Sequence, residues 1–398
     1  MKSEMQSHYA LLDETALTTI EAQAAQILDE VGVELQGDPQ SLDAMASVGA
    51  RIEGERVRAD ADVLRQLISQ APSSFVWRGK TDEASVRVGG GEPVFVPFYG
   101  PPNVRNHDGD LALGQLEDYR QIVRLCDQSR ILDSTGFQLC IAHRGEELMP
   151  YTELAQAHLE LSDKPMMGTV VSEEALRDVA NLAGHQDGCR LLHLINLTPP
   201  LVYQPNPLRC LRASSELGQA SLVASYMMMG ATAPVTVAGA LAQGLAEIMV
   251  GLSLTQIYRA GCPVVGGLFA TPFSMQFMGP VFGTPESQLA QIAGCQLVKR
   301  LGIPCRGDGL VTSSKLNDAQ AGYEGAGAVS ASLLGGADLI LHSAGWLEFG
   351  RTIGMEKLVS DEALIATNPY LRKIPASRKA NMTEIPVSTE RCHVSSRL

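Results

Sequence analysis

What this chain has little of narrows its class first. Its 398 residues hold eight cysteines, far apart, with no CxxC pair and no Cys/His cluster at zinc spacing. That excludes a zinc-ribbon module and a disulfide scaffold, and reduced thiols in a cytoplasm are expected. Aromatics are scarce at 5%, and 31 basic residues face 44 acidic ones for a net charge of −13. A chain that acidic is ill suited to neutralising phosphates, so neither nucleic acid nor an anionic membrane surface is expected as a partner. Met1-Lys2-Ser3-Glu4 runs into polar residues rather than an apolar signal segment. HExxH, GxSxG, a phosphate-binding P-loop and a paired-carboxylate signature are all missing, so nothing announces hydrolysis or phosphoryl transfer. One stretch, Val235 to Tyr258, is apolar enough to pass for a membrane span. Gln243, Glu247, Thr255 and Gln256 interrupt it and Arg259 follows, which a lipid-facing helix tolerates poorly. A helix buried on both sides within a large fold is expected instead.

What is present is apolar and rich in glycine. Hydrophobic residues make up 45% and glycines number 38, the profile of an α/β enzyme. The length allows two domains, or one large barrel with an extension. Residues 1–90 read as a helical N-terminal extension. Asp13-Glu14-Thr15 opens a periodic run closed by Gly32, Asp38-Pro39 opens a second, and Asp60 a third that stops at Ala71-Pro72. A short hairpin is expected over Arg51 to Arg58.

From residue 91 the pattern repeats. Strand candidates are Val94–Tyr99, Ser134–Ile141, Pro165–Val171, Leu191–Asn196, Ser221–Met228, Pro263–Phe269, Ile303–Gly309 and Ala337–Ser343, each separated from the next by helical sequence. Eightfold alternation over residues 91–365 predicts an α/β fold of the (β/α)8 TIM-barrel type. A doubly wound open sheet is the rival, but the loop after its first strand, Tyr99-Gly100-Pro101-Pro102-Asn103, is not a phosphate-binding turn. Residues 366–398 form a basic tail with six basic residues against two acids, a net of +4. Lacking a helical period, the tail is expected to be poorly ordered.

A barrel builds its site at the C-terminal ends of its strands. That rule selects Tyr99, Gln138, His143, Thr169, Asn196, Thr198, Tyr226, Met229, Thr232, Phe269, Thr271, Arg306, Asp308, His342, Ser343 and Trp346. Arg306 and Asp308 share strand parity, so both can face the axis, either paired with each other or with Arg306 clamping a substrate carboxylate. Cys305 has no activating neighbour and reads as a small buried hydrophobe.

Several ordered segments resemble the trimethylamine methyltransferase (MttB-like) family. They are Ile27-Leu28-Asp29-Glu30-Val31-Gly32-Val33, Asn196-Leu197-Thr198-Pro199-Pro200-Leu201, Gly230-Ala231-Thr232-Ala233-Pro234-Val235-Thr236-Val237-Ala238-Gly239-Ala240 and Gly302-Ile303-Pro304-Cys305-Arg306-Gly307. Thr312-Ser313-Ser314-Lys315, Asp318-Ala319-Gln320-Ala321-Gly322-Tyr323-Glu324 and Met355-Glu356-Lys357-Leu358 continue the series. The resemblance spans about residues 10–365. It implies a barrel that moves a methyl group from an amine to the cobalt of a corrinoid held by a separate protein, with no cofactor or metal on this chain. Trimethylamine-specific members carry pyrrolysine just before the Thr-Ser-Ser-Lys segment. Here that stretch is Asp308-Gly309-Leu310-Val311-Thr312, which resembles the branch acting on quaternary amines such as glycine betaine. The chain leaves the family pattern near Ala363–Ile365, as a truncated or frameshifted product would.

A quaternary ammonium calls for aromatic faces, and Tyr99, Tyr226, Phe269 and Trp346 are the candidates. Arg306 or His342 is the expected carboxylate donor, and Asn196, Thr232 and Asp308 complete the substrate-binding set. The remaining readings are a betaine-binding barrel without turnover and an unrelated barrel enzyme such as an aldolase. The aldolase needs a Schiff-base lysine, and only Lys164 and Lys315 lie near strand ends. Assembly into a homo-oligomer is left open.

Overall fold

In a computed structural model the chain is described over residues 9–105 and 109–367, so the expected basic tail lies outside the described residues apart from its first two positions. The N-terminal helices begin where the sequence places their caps. Asp13 accepts from the Ala16 N–H at 2.8 Å ahead of Glu14–Gln26, Asp38-Pro39 starts Pro39–Ser47, and Asp60 caps Ala61–Ile68. Arg51–Glu53 and Arg56–Arg58 form the expected hairpin. Its second strand pairs with Val33–Leu35, which in turn pairs in parallel with Val202–Tyr203. The first ninety residues are therefore more than helical, because they supply three strands of a four-stranded sheet whose fourth is Val202–Tyr203. Ion pairs add to the attachment, Arg212 to Asp38 at 2.8 Å and Arg300 to Glu14 and Glu21 at 2.9 Å.

The remainder is mixed helix and sheet. Met166–Met167, Leu191–Asn196, Ala220–Met229 and Val264–Ser274 form one run of parallel strands, in register through Leu192↔Ala220 and Ser221↔Val264. Arg306–Asp308, Leu339–Leu341 and Val94–Phe95 form a second parallel run. Near-continuous burial along Leu191–Asn196 and Ala220–Met229 reflects helices packed on the outside and side chains on the inside.

The regular strands do not make one continuous closed sheet, and seven of the eight expected strands are formed. The exception is Ser134–Ile141. Gly136 takes a left-handed φ of +68°, and the Ser134 hydroxyl donates to the Pro165 carbonyl at 2.7 Å. An extended ladder cannot pass through that geometry. Only isolated contacts link the two runs. Gly136 bridges Met166, Asp133 N–H donates to Phe95 O at 2.9 Å, and Gly266 bridges Cys305.

The loops leaving the strands end in caps that fix where the next helix starts. Thr236 caps Val237–Tyr258, Thr284 caps Pro285–Lys299 and Asp318 caps Ala319–Leu334. Val237–Tyr258 alone among the described residues is long and apolar enough to cross a membrane, and it is mostly buried inside the protein. Its polar residues are occupied there. Glu247, fully buried, accepts from the Leu201 N–H at 2.7 Å and from Gln243 Nε2 at 2.9 Å, and it also accepts from Ser225 Oγ.

Candidate functional site

Six rings meet at the C-terminal ends of the strands. Tyr226 lies 5.0 Å from Phe269 and 6.3 Å from Phe282. Phe282 lies 5.0 Å from Trp346, which lies 4.6 Å from Phe98 and 4.7 Å from His342. These spacings are those of mutually attractive offset and edge-on ring pairs. Tyr226, Phe269, His342 and Trp346 were legible as strand ends, whereas Phe98 and Phe282 were not. Phe98 follows Pro97, beyond the last regular strand residue Phe95, so strand parity no longer tells which neighbour points inward. Phe282 sits just past the hairpin pairing Phe273 with Pro280. An aromatic residue following a strand-end hairpin was the signal available for it.

Tyr99 lies apart from these ring contacts. Its hydroxyl donates to Gln138 and, at 3.2 Å, to the Gly168 carbonyl. Asn196 is exposed at the end of its strand. The Thr232 hydroxyl accepts from the Met228 N–H at 3.1 Å, closing the turn after Ala220–Met229. That bond is a turn contact, and Thr232 remains half-buried.

Arg306 and Asp308, both buried, pair directly, and the guanidinium carbon lies 4.4 Å over the Phe269 ring. Of the two sequence readings, pairing is the one observed, and it does not consume all five guanidinium donors. The Phe269 face already carries a cation. Burial raises the Asp308 carboxyl, and the Arg306 charge opposes the rise. Burial pushes the Tyr226 hydroxyl up to about 12, and the Asp308 charge adds to the rise, so Tyr226 stays a neutral hydroxyl. Burial, with Arg306 adding to it, holds the His342 ring well below its ordinary range. That ring is neutral, and its Nδ1 has no hydrogen-bond partner. The His342 backbone is left-handed at φ +66°, a strained conformation for a non-glycine residue. A Cβ on Gly309 would lie 2.2 Å from the His342 carbonyl oxygen, so that close approach requires glycine.

The space between Phe269, Phe282, Gln291, Asp308 and Val311 amounts to about 10 Å³, enough for barely one water. A larger groove of about 470 Å³ lies far from these rings, against Glu21, Arg65 and Arg300. Three of its charged groups already pair with one another, Arg65 with Glu21 at 3.1 Å and Arg300 with Glu21 at 2.9 Å.

Other chemistry finds little purchase. Lys164 Nζ donates to the carbonyls of Cys126 and Ser129 at 2.8 and 2.7 Å, so it is occupied as a structural donor. Cys305 is buried and its thiol is pushed well up by burial. Among the described residues no group of three or more His, Cys, Asp or Glu is placed to hold a metal.

Comparison with known proteins places the chain. The trimethylamine methyltransferase (MTTB) family model matches residues 2–385, running past Ala363–Ile365, where the sequence pattern alone placed the family's end. The chain is 31% identical over 364 residues to the glycine betaine methyltransferase of Desulfitobacterium hafniense (strain Y51), covering 89% of this chain and 76% of that one. It is 28% identical to the proline betaine:corrinoid methyltransferase of Eubacterium limosum, covering 85% of this chain and 72% of that protein. The solved monomethylamine methyltransferase of Methanosarcina barkeri shares the α/β fold, with a TM-score of 0.55 at 11% identity over 90% of this chain and 81% of that one. With nearly its whole length matched, the chain belongs to the trimethylamine methyltransferase family.

Proposed function

We propose that this protein moves a methyl group from a small quaternary amine of the betaine class to the cobalt of a corrinoid carried by a separate protein. The observation that carries the reading is the cluster of rings around a buried Arg306–Asp308 pair at the strand ends. The betaine specificities of the two relatives named above support it.

A quaternary ammonium has no N–H to donate, so aromatic faces are its natural partners. Its leaving group is a neutral tertiary amine and needs no proton. The docked corrinoid supplies the nucleophile, so this chain needs none of its own. What remains is positioning and exclusion of water. Tyr226, Phe282 and Trp346 hold the cationic head, while Phe269 serves as the platform under Arg306. The free guanidinium donors of Arg306 and the neutral His342 ring take the carboxylate. The opening between Phe269 and Phe282 is too small for a betaine, so entry requires Phe282 to shift.

The rim suits an approaching protein. Val235, Met275, Phe277 and Met278 are each at least 70% exposed, in the loops leaving the Ala220–Met229 and Val264–Ser274 strands. We read the two parallel runs as parts of one (β/α)8 barrel over residues 91–365, with residues 1–90 as an extension. The isolated bridges at Gly136 and Gly266 support that reading. A reducing, cytoplasmic setting accords with seven free cysteines among the described residues.

The test is to mix the protein with glycine betaine and a reduced corrinoid protein and follow the corrinoid absorbance. Methylation dependent on this chain is the expected result. Betaine binding without methylation would point to a binding protein, and the absence of binding would overturn the reading.

A further inference from the structure

Two of the motifs remain without a task, Thr312-Ser313-Ser314 after the Arg306–Asp308 strand and Gly322-Tyr323-Glu324 early in the Ala319–Leu334 helix. The structure ties them together. Glu324 Oε2 accepts from the Thr312 hydroxyl at 2.6 Å and from the Ser313 N–H at 2.9 Å. Its other oxygen accepts from Gln320 Nε2 at 2.9 Å. Asp318, which caps the helix, accepts from the Ser314 hydroxyl at 3.0 Å.

The loop held in this way reaches two of the rings. Ser313 Oγ accepts from the Phe282 N–H at 2.8 Å and donates to the Phe282 carbonyl at 3.3 Å. The Thr312 carbonyl accepts from Trp346 Nε1 at 2.9 Å. The neighbour of Phe282 lies directly against the same glutamate. Gly283 has φ +74°, and a Cβ there would fall 2.3 Å from the Glu324 Cβ.

We propose that Glu324 is a positioning residue that sets the spacing of Phe282 and Trp346, and through it the size of the cationic head the site admits. The ligand part rests on the quaternary-amine reading above, whereas the positioning part rests on the contacts alone. A carboxylate suits the task because one oxygen takes two donors from consecutive loop residues while the other anchors to its own helix, and bonds to an ionised acceptor are stronger than neutral ones. Removing the side chain frees Thr312 and Ser313 together, and both ring anchors loosen.

The full chain tests this. Trp77 and Trp346 are the two tryptophans, so a Trp77→Phe background leaves Trp346 as sole reporter. In it, Glu324→Ala is expected to shift Trp346 emission to the red and to weaken glycine betaine binding about tenfold by calorimetry, as expected for one or two lost charge-assisted bonds. Glu324→Gln, which keeps an acceptor oxygen, is expected to recover most of both. Ser313→Ala cuts the Phe282 link directly and decides the matter if Glu324→Ala does not fold, its readout being weakened betaine binding. A merely structural role would lower the melting temperature while leaving emission and affinity unmoved, and that result overturns the proposal. If the parent takes no betaine, the ligand reading fails, and the emission of the Glu324 variants alone decides positioning.

Discussion

Lys357 and Asp361 offer the cleanest perturbation. They lie one turn apart in the Met355–Thr367 helix, at 1% and 2% side-chain exposure, in direct contact. Asp361 Oδ2 also accepts from the Gly345 N–H at 3.0 Å, next to Trp346. The closing Met-Glu-Lys-Leu motif therefore supplies a buried cation that completes the support under a site ring. Asp361→Asn keeps an oxygen for Gly345 but removes the charge, leaving Lys357 buried and unpaired. Stranding one partner of a buried pair costs about 3–5 kcal/mol. At about 2 °C per kcal/mol for a large domain, the melting temperature should fall by roughly 6–10 °C. The Lys357→Met/Asp361→Asn double variant has no stranded charge and should recover most of that loss. Differential scanning calorimetry of the parent and both variants is the assay. If the double variant melts as low as the single one, the lost charge balance is not the cause and the reasoning fails. Burial raises Asp361 to about 6, against Lys357 and the Gly345 N–H, which lower it. The calorimetry is therefore read well above pH 6, where the carboxyl is ionised against Lys357.

His158 should make stability depend on pH. Burial depresses it to about 3 while Thr135 and Tyr119 hydrogen-bond its ring. Its stabilising contribution is complete above pH 6.5 and is lost as pH falls towards the folded value, so the parent should lose about 3 kcal/mol more than His158→Gln between pH 6.5 and 4 in urea titrations. Replacing Tyr226, Phe282 or Trp346 by Ala should weaken glycine betaine binding by roughly 2- to 30-fold in calorimetric titrations, the worth of one cation–π contact. Equal binding by all three variants would place the cation elsewhere. The charge-neutral Arg306→Met/Asp308→Asn variant should lose about tenfold of any preference for glycine betaine over choline, which has no carboxylate to clamp. A competition assay showing an unchanged ratio would remove Arg306 from carboxylate recognition.

Much of this was written locally. Helix starts at Asp13 and Asp60 follow from capping, and the start at Pro39 from a proline in the first helical turn, all matters of neighbours within three residues. The burial of Val237–Tyr258 could be foreseen because Gln243 and Glu247 need partners that lipid cannot give. Alternation of β-rich and helical segments placed Tyr226, Phe269, Arg306, Asp308, His342 and Trp346 at strand ends, and the structure does bring these six to one end. Where local signals stopped, so did the reading. Ser134–Ile141 has strand composition, but Gly136 turns left-handed to let Ser134 bond Pro165, a partner supplied by another segment. Tyr99 had the expected position and chemistry, yet its hydroxyl is taken by Gln138 and Gly168, while Phe98 joins the rings.

Periodicity, caps and turns act over a few residues, so the capped helices, seven of the eight expected strands and most of the ring-bearing strand ends could be read from the chain. That Phe282 meets Trp346, that Arg306 settles over Phe269 beside Asp308, and that Glu324 holds the loop joining them were settled by packing. Those choices depend on which side chains fill one close-packed space, and residues far apart in the chain compete for it only after the fold has brought them together.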